Sequence, residues 1–295
     1  MLPKEVFKNI RRLEIRTKKL VNEVFGGEYE SVFKGQGVEF QEVREYVPGD
    51  EIRRIDWNVT ARMGHPYVKK FREERELTLL FVVDASASEY FGSIKMQKIN
   101  LAGEVTALLS FSAISNNDKV ALLLFTDRVE KFIPPKKGRR HTLRIIRELL
   151  YFKPEGKGTN ITMALEHLNR VTRRRSIVFL ISDFLDKGFE KPMRITAQKH
   201  DLIAVRILDP LDVSFPDFKG CLLLEDAETG ETAVFDSGDR KKRMAYSLKQ
   251  VEFIKNQNEF FRSNDIDLID LSTPEPYTDT LVKFFTKREK RLRTI

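Results

Sequence analysis

Four stretches of the sequence are almost unbroken in apolar residues and close on an acid: LTLLFVVD (77–84), KVALLLFTD (119–127), SIVFLISD (176–183) and DLIAVRILD (201–209). A strand with one wetted face alternates apolar and polar residues. Runs without alternation belong to strands covered on both faces, which is the condition of a parallel sheet packed between helices. The segments between them carry helical spacing. Ile99, Ala102, Val105 and Leu109 share one face, as do Leu143, Ile146 and Leu150, and then Ile161, Leu165 and Leu168 after GTN. The segment RVEKFIPP reads as an antiparallel partner reached through a turn at Asp127–Arg128. The pattern predicts an α/β fold with a doubly wound, mostly parallel, Rossmann-like sheet.

Beyond Pro210 the rhythm changes. CLLLEDAETGETAVFD (221–236) predicts a β-hairpin about Glu228–Gly230, an excursion over about 213–236. A long charged helix with Met244, Leu248 and Val251 follows, then the strand DIDLIDLS and a last helix with Leu281, Phe284 and Phe285. The pairs Phe260–Phe261 and Phe284–Phe285 read as core contacts of these helices. Ahead of residue 77 the chain differs again, with a basic helix to about Val24 and then a stretch dense in both charges. The division expected is an N-terminal helical and charged extension, 1–76, followed by the α/β domain, 77–295.

Net charge is +8, from 52 basic and 44 acidic side chains. The basic clusters KKGRRH, RRR, RKKR and KREKRLR are scattered and lack interleaved aromatics, so they read as solvated faces and not as a specific nucleic-acid surface. No apolar run approaches the ~20 residues of a transmembrane helix, and the first residues lack a secretory apolar core. Cys221 is the one cysteine, which rules out a disulfide framework and reads as a small buried residue at the hairpin edge. A cytoplasmic protein is the expectation.

In a parallel sheet the C-terminal strand ends share one edge, so loops from different strands meet there. The first run delivers Asp84, Ser86 and Ser88 to that edge, the GKGTN loop delivers Thr159, and SIVFLISD delivers Asp183. All are oxygen donors, which select magnesium, manganese or calcium over zinc or copper. No pair among His65, His141, His167 and His200 has metal-ligand spacing with another or with Cys221. Neutral hydroxyl ligands leave an ion's charge largely uncancelled, ready for an anionic oxygen from outside. Taken singly, these residues are also ordinary turn and helix-capping residues, and Thr159 or Asn160 suits a cap.

In this order and at these places, Asp84-x-Ser86-x-Ser88, Thr159 and Asp183 resemble the metal-ion-dependent adhesion site of von Willebrand factor type A domains. The resemblance implies direct contact of the ion with Ser86, Ser88 and, in the engaged state, Thr159. It implies action largely through water for Asp84 and Asp183, and a last ligand from a partner's Asp or Glu. Glu89 stands where the family commonly has a small or apolar residue, so it would compete for the ion or shield it.

Upstream, VREYVPGDEIRRIDWNVTARMG (43–64) resembles bacterial proteins that join such a domain to a region called domain of unknown function 58. The resemblance implies association with MoxR-type AAA+ ATPases and, for a chain without the membrane helices of many members, a short soluble form. The charged residues around Tyr46, Pro48 and Trp57, from Arg44 and Asp50 to Glu74 and Arg75, predict Arg–carboxylate pairs about one aromatic that hold this segment against the α/β domain, or alternatively a dedicated partner surface. The Gly35-x-Gly37 pair carries no nucleotide-binding pattern.

The function expected is a non-enzymatic, divalent-metal-dependent protein-binding adaptor. EGKGTN lacks the spacing of a phosphate-binding G-x-x-x-x-G-K-[ST], so ATP hydrolysis falls to a partner. One alternative is a magnesium-dependent phosphohydrolase using Asp84, Asp183 and a lysine such as Lys157. That arrangement resembles haloacid-dehalogenase-like phosphatases, whose nucleophile loop has a second Asp two positions after the first, and here Ser86 occupies that place. Another is salt-sensitive electrostatic binding to nucleic acid or an anionic membrane surface.

Overall fold

The apolar runs become adjacent strands. In the computed structural model, residues 4–21, 32, 39–72, 76–94, 96–218 and 220–293 are described. The chain divides into two compact units, Phe33–Leu77 and a second made of Met1–Val32 with Thr78–Ile295. One boundary between the units lies at Leu77–Thr78. The first helix, however, is grouped with the α/β unit and not with the extension.

The smaller unit pairs strands β1 (Glu39–Glu45) and β2 (Tyr67–Arg72) in antiparallel fashion. Between them helix α2 (Trp57–Met63) starts at Asp56, whose carboxylate accepts from the amides of Asn58 and Val59, and ends at left-handed Gly64. Arg44 and Asp50 form a bidentate pair at 2.7 and 2.8 Å. Trp57 is 67% exposed. The Gly35–Gly37 pair, Glu74 and Arg75 lie outside the described residues.

In the larger unit, α1 (Lys4–Leu20) is followed by β3 (Thr78–Asp84), α3 (Lys98–Ser115), β4 (Lys119–Phe125), β5 (Val129–Lys136), α4 (Arg139–Tyr151) and α5 (Ile161–Val171). Then come β6 (Ile177–Ser182), α6 (Glu190–Lys199), β7 (Asp201–Leu208) and the one-turn α7 (Pro210–Val213). The hairpin β8 (Cys221–Glu225) and β9 (Thr232–Asp236), helix α8 (Arg240–Ser263), β10 (Asp267–Ser272) and α9 (Tyr277–Arg293) complete it. The six-stranded sheet has the order β10-β7-β6-β3-β4-β5, parallel except for β5. The fold is thus the doubly wound α/β arrangement with a separate hairpin.

Both faces of the sheet are covered. Leu80, Val82, Leu123 and Leu180 join Ile161 and Leu165 of α5 and Met193 of α6 in one core. On β3 and β6, Phe81 and Phe179 stack at 5.4 Å. Each such buried side chain is worth about 1.5–3 kcal/mol over an exposed one. Helix α3 is buried nearly all round, not along one stripe. The outer helices explain this, since Arg16 of α1 bonds Glu104 at 3.2 Å and Arg139 of α4 bonds Glu14 of α1 at 2.5 Å. In α4 the fully buried apolar side chains are Ile145, Ile146 and Leu149, with Leu143 and Leu150 half-buried. Phe261 and Phe285 enter the core and Phe260 and Phe284 stand at its margin.

Arg206 interrupts the apolar run of β7. It is buried because its guanidinium is paired with Asp270 of β10 at 2.6 and 2.9 Å and with Gln257 and Asn258 of α8. The hairpin rests on an aromatic stack in which Phe215 lies 4.4 Å from Phe235 and 4.7 Å from Tyr246. Cys221 is exposed and not buried, because it faces outward at the start of β8. Among the described residues no helix is long and apolar enough to cross a membrane.

Candidate metal centre

From β3 the chain crosses to β4 on one side, and from β6 to β7 on the other. The order therefore reverses between β3 and β6, and it is at the C-terminal strand ends of such a reversal that folds of this kind bind ligands. Asp84 ends β3 and Asp183 follows β6.

Asp84 is held at both oxygens, by the Ser86 amide at 2.9 Å and the Ser182 hydroxyl at 2.7 Å. Ser86 and Ser88 hydroxyls lie 3.1 Å apart, and Ser88 donates to Asp183 Oδ2 at 3.2 Å. Four of the expected residues thus form one connected set. Phe184, which follows, has φ 58° without being glycine, a conformation costing about 1–2 kcal/mol. Its amide donates to Ser182 Oγ and its carbonyl accepts from Gln257 at 2.7 Å, so the turn after Asp183 is held from two sides.

Thr159 stands apart from that set. Its loop reaches the rim through the Ala87 amide, which bonds the Lys157 carbonyl at 2.9 Å, and the Asn160 amide, which bonds the Thr126 carbonyl. Asn160 caps α5 by accepting from the Met163 amide. Thr159 does not serve that cap and instead donates its hydroxyl to Glu228 Oε1 at 2.6 Å. Glu228 comes from the tip of the hairpin.

Glu89 is 1% exposed and accepts the Asp183 amide at Oε1, while its Oε2 has no hydrogen-bond partner. Asp84, Glu89 and Asp183 each offer a carboxylate oxygen within 4.8 Å of the others. Lys98, equally buried, places its ammonium 2.6 Å from Asp183 Oδ2 and 3.2 Å from Asp212 Oδ2. Its start-of-helix position on α3 aims it into the cluster. Asp212 is oriented by the capping box of α7, where its carboxylate accepts the Asp209 amide.

Burial first, and Asp183 second, raise both Asp84 and Glu89 above the usual carboxylate range. Asp212 is raised mainly by burial, against the pull of Lys98. Burial by itself would lower Lys98, but Asp183, Glu89 and Asp212 outweigh it and keep the ammonium charged. Asp183, Glu89 and Asp212 thus face Lys98, with Asp84 beside them, and a dication would favour the charged carboxylates that burial disfavours. The donors are all oxygen, one buried carboxylate oxygen is orphaned, and the hydroxyls are already gathered. The residues fit a hard divalent ion.

Lys98, Asp212 and Glu228 were not among the residues expected from sequence, and Glu89 was expected only to compete with or shield the ion. The position of Glu89 directly after Ser88 was the available signal; no local pattern marks the others.

A sequence family described as protein of unknown function DUF58 matches residues 42–253. The chain belongs to this family. It is 32% identical to the uncharacterized protein Rv1480 of Mycobacterium tuberculosis over 284 residues, 95% of this chain and 89% of that one. A stretch of 128 residues is 31% identical to the magnesium-chelatase 60 kDa subunit of Cereibacter sphaeroides, covering 42% of this chain and 21% of the subunit. The VWA domain of SpRpn10 is similar over 70% of this chain and 94% of that domain, with 9% identity and a TM-score of 0.39. This DUF58 chain keeps the α/β sheet and acidic rim within one unit, distinct from the unit that holds its Tyr46–Gly64 segment.

Proposed function

We propose that this DUF58 protein is a divalent-cation-dependent adaptor that captures an acidic side chain of a protein partner and has no catalytic activity of its own. The observation that carries the reading is the chain of Ser86 and Ser88 hydroxyls running onto Asp183, beside the orphaned oxygen of Glu89. Asp84, Ser86, Ser88, Asp183 and Glu89 would hold magnesium, manganese or calcium, with Thr159 joining in the engaged state. When bound, the ion supplies positive charge that the neutral hydroxyls leave largely uncancelled, so it accepts one more anionic oxygen.

The chain's own groups are arranged for holding more than for reacting. Two observations support this: Asp84 is tied at both oxygens, and Ser86 stands where an acid/base would be needed. Lys98 neutralises part of the charge of Asp183 and so keeps the rim electrophilic. The family resemblance supports a MoxR-type AAA+ ATPase as the partner that hydrolyses ATP.

The test is affinity capture from a native lysate using the full chain, in magnesium and in EDTA, alongside Asp84→Ala. Proteins retained in magnesium are expected to be lost in EDTA and with the variant, whose folding circular dichroism checks. Retention indifferent to both treatments would remove the reading.

A further inference from the structure

The hairpin β8–β9 forms no part of the main sheet, yet its tip is built to hold one carboxylate at the rim. Asp226 accepts the amides of Glu228 and Thr229, each at 2.9 Å, the Gly230 amide closes onto the Asp226 carbonyl at 2.8 Å, and Gly230 takes φ 74°. The turn between the strands is therefore fixed, and the side chain it presents is Glu228. Glu228 meets a neutral partner, the Thr159 hydroxyl, and faces the negative charge of Asp183. One more acid facing Asp183 is unfavourable unless a cation stands between them.

We propose that Glu228 is the site's own carboxylate ligand: the hairpin tip occupies the place from which a partner's acid would reach the ion, and a partner engages by displacing it. This rests on the reading of the rim as a cation site. The chemistry of the displacing partner follows from what it replaces, a glutamate at the tip of a tight acidic turn. The hairpin is suited to displacement. Two strands alone are marginally stable. One face rests on Phe215 and Tyr246, while the cross-strand pair Leu223 and Val234 on the other is 72% and 71% exposed.

Glu228→Gln keeps the shape and an oxygen for Thr159 but removes the charge. In the full chain, manganese affinity followed by the electron paramagnetic resonance of the free ion is expected to fall about 10-fold in this variant. Hydrogen exchange over 226–231 is expected to slow on adding magnesium in the wild type and to stay unchanged in the variant. Equal manganese affinities with no magnesium effect on wild-type exchange would make Glu228 a hydrogen-bond partner of Thr159 and nothing more, leaving the cation site standing. Absence of manganese binding in the wild type would overturn the cation site and this inference together.

Discussion

Lys98 holds the acidic rim together in the absence of any ion. Its ammonium is buried against Asp183 and Asp212, so Lys98→Met leaves those carboxylates without their counter-charge. Breaking a buried pair from one side costs about 3–5 kcal/mol. Urea unfolding in EDTA is expected to show a loss of that order, and magnesium is expected to restore more stability to the variant than it adds to the wild type. An unchanged midpoint would mean that the acids are held neutral without Lys98. None of this was legible in the sequence, because Lys98 lies 85 residues from Asp183 and 114 from Asp212, with no pattern joining them. At the other end of the strands His200 is buried, and its Nδ1 accepts the Ser176 amide at 3.3 Å. Burial, with Lys199 and Arg175 nearby, pushes its pKa from 6.5 to about 4. The folded value is the lower one, so the ring contributes no pH dependence above pH 6.5. Stability then falls as pH drops from 6.5 through 4, by about 3 kcal/mol in all. His200→Asn, which keeps an acceptor for Ser176, is expected to flatten that slope in unfolding measured at pH 7 and at pH 4.5.

Among the elements, the loop before α5 decides where Thr159 stands. Glu130 of β5 accepts the amides of Glu155 and Gly156, and also the Thr126 hydroxyl at 2.8 Å. A Cβ on Gly156 would lie 2.1 Å from Asp127 Oδ1 and 2.2 Å from Thr126 Oγ1, so either those side chains or the loop must move. Gly156→Ala is expected to cost about 1–3 kcal/mol by overpacking and to weaken manganese binding several-fold as Thr159 is displaced. Calorimetric titration with manganese checks the second effect, and unchanged affinity would show that Thr159 is dispensable to the ion. The strands were readable because a strand buried on both faces needs apolar residues at every position, as β3, β4, β6 and β7 have. Helices were read less well wherever a second layer lies outside them. Helix α3 is buried all round since α1 and α4 pack against it, a fact its own spacing does not contain. The hairpin was placed correctly, but its seat over Thr159 depends on Phe215 and Tyr246, which belong to other segments.

For the whole molecule the contrast is between a chain of net charge +8 and a rim where acids outnumber bases. Diffuse surface charge responds to any salt, while a buried cluster is screened little by ions that cannot enter it. A ligand bound by the folded state alone raises stability by mass action, about 2.7 kcal/mol at one hundred times its dissociation constant. For a chain of this size that corresponds to a rise of about 5 °C in the unfolding temperature. Differential scanning fluorimetry in magnesium chloride is therefore expected to show such a rise, saturating with concentration. Sodium chloride of equal ionic strength should not reproduce it, and Asp84→Ala should abolish it. If both salts shift the wild type alike, the stabilisation comes from screening of the basic surface. The electrostatic alternative then gains what the cation site loses.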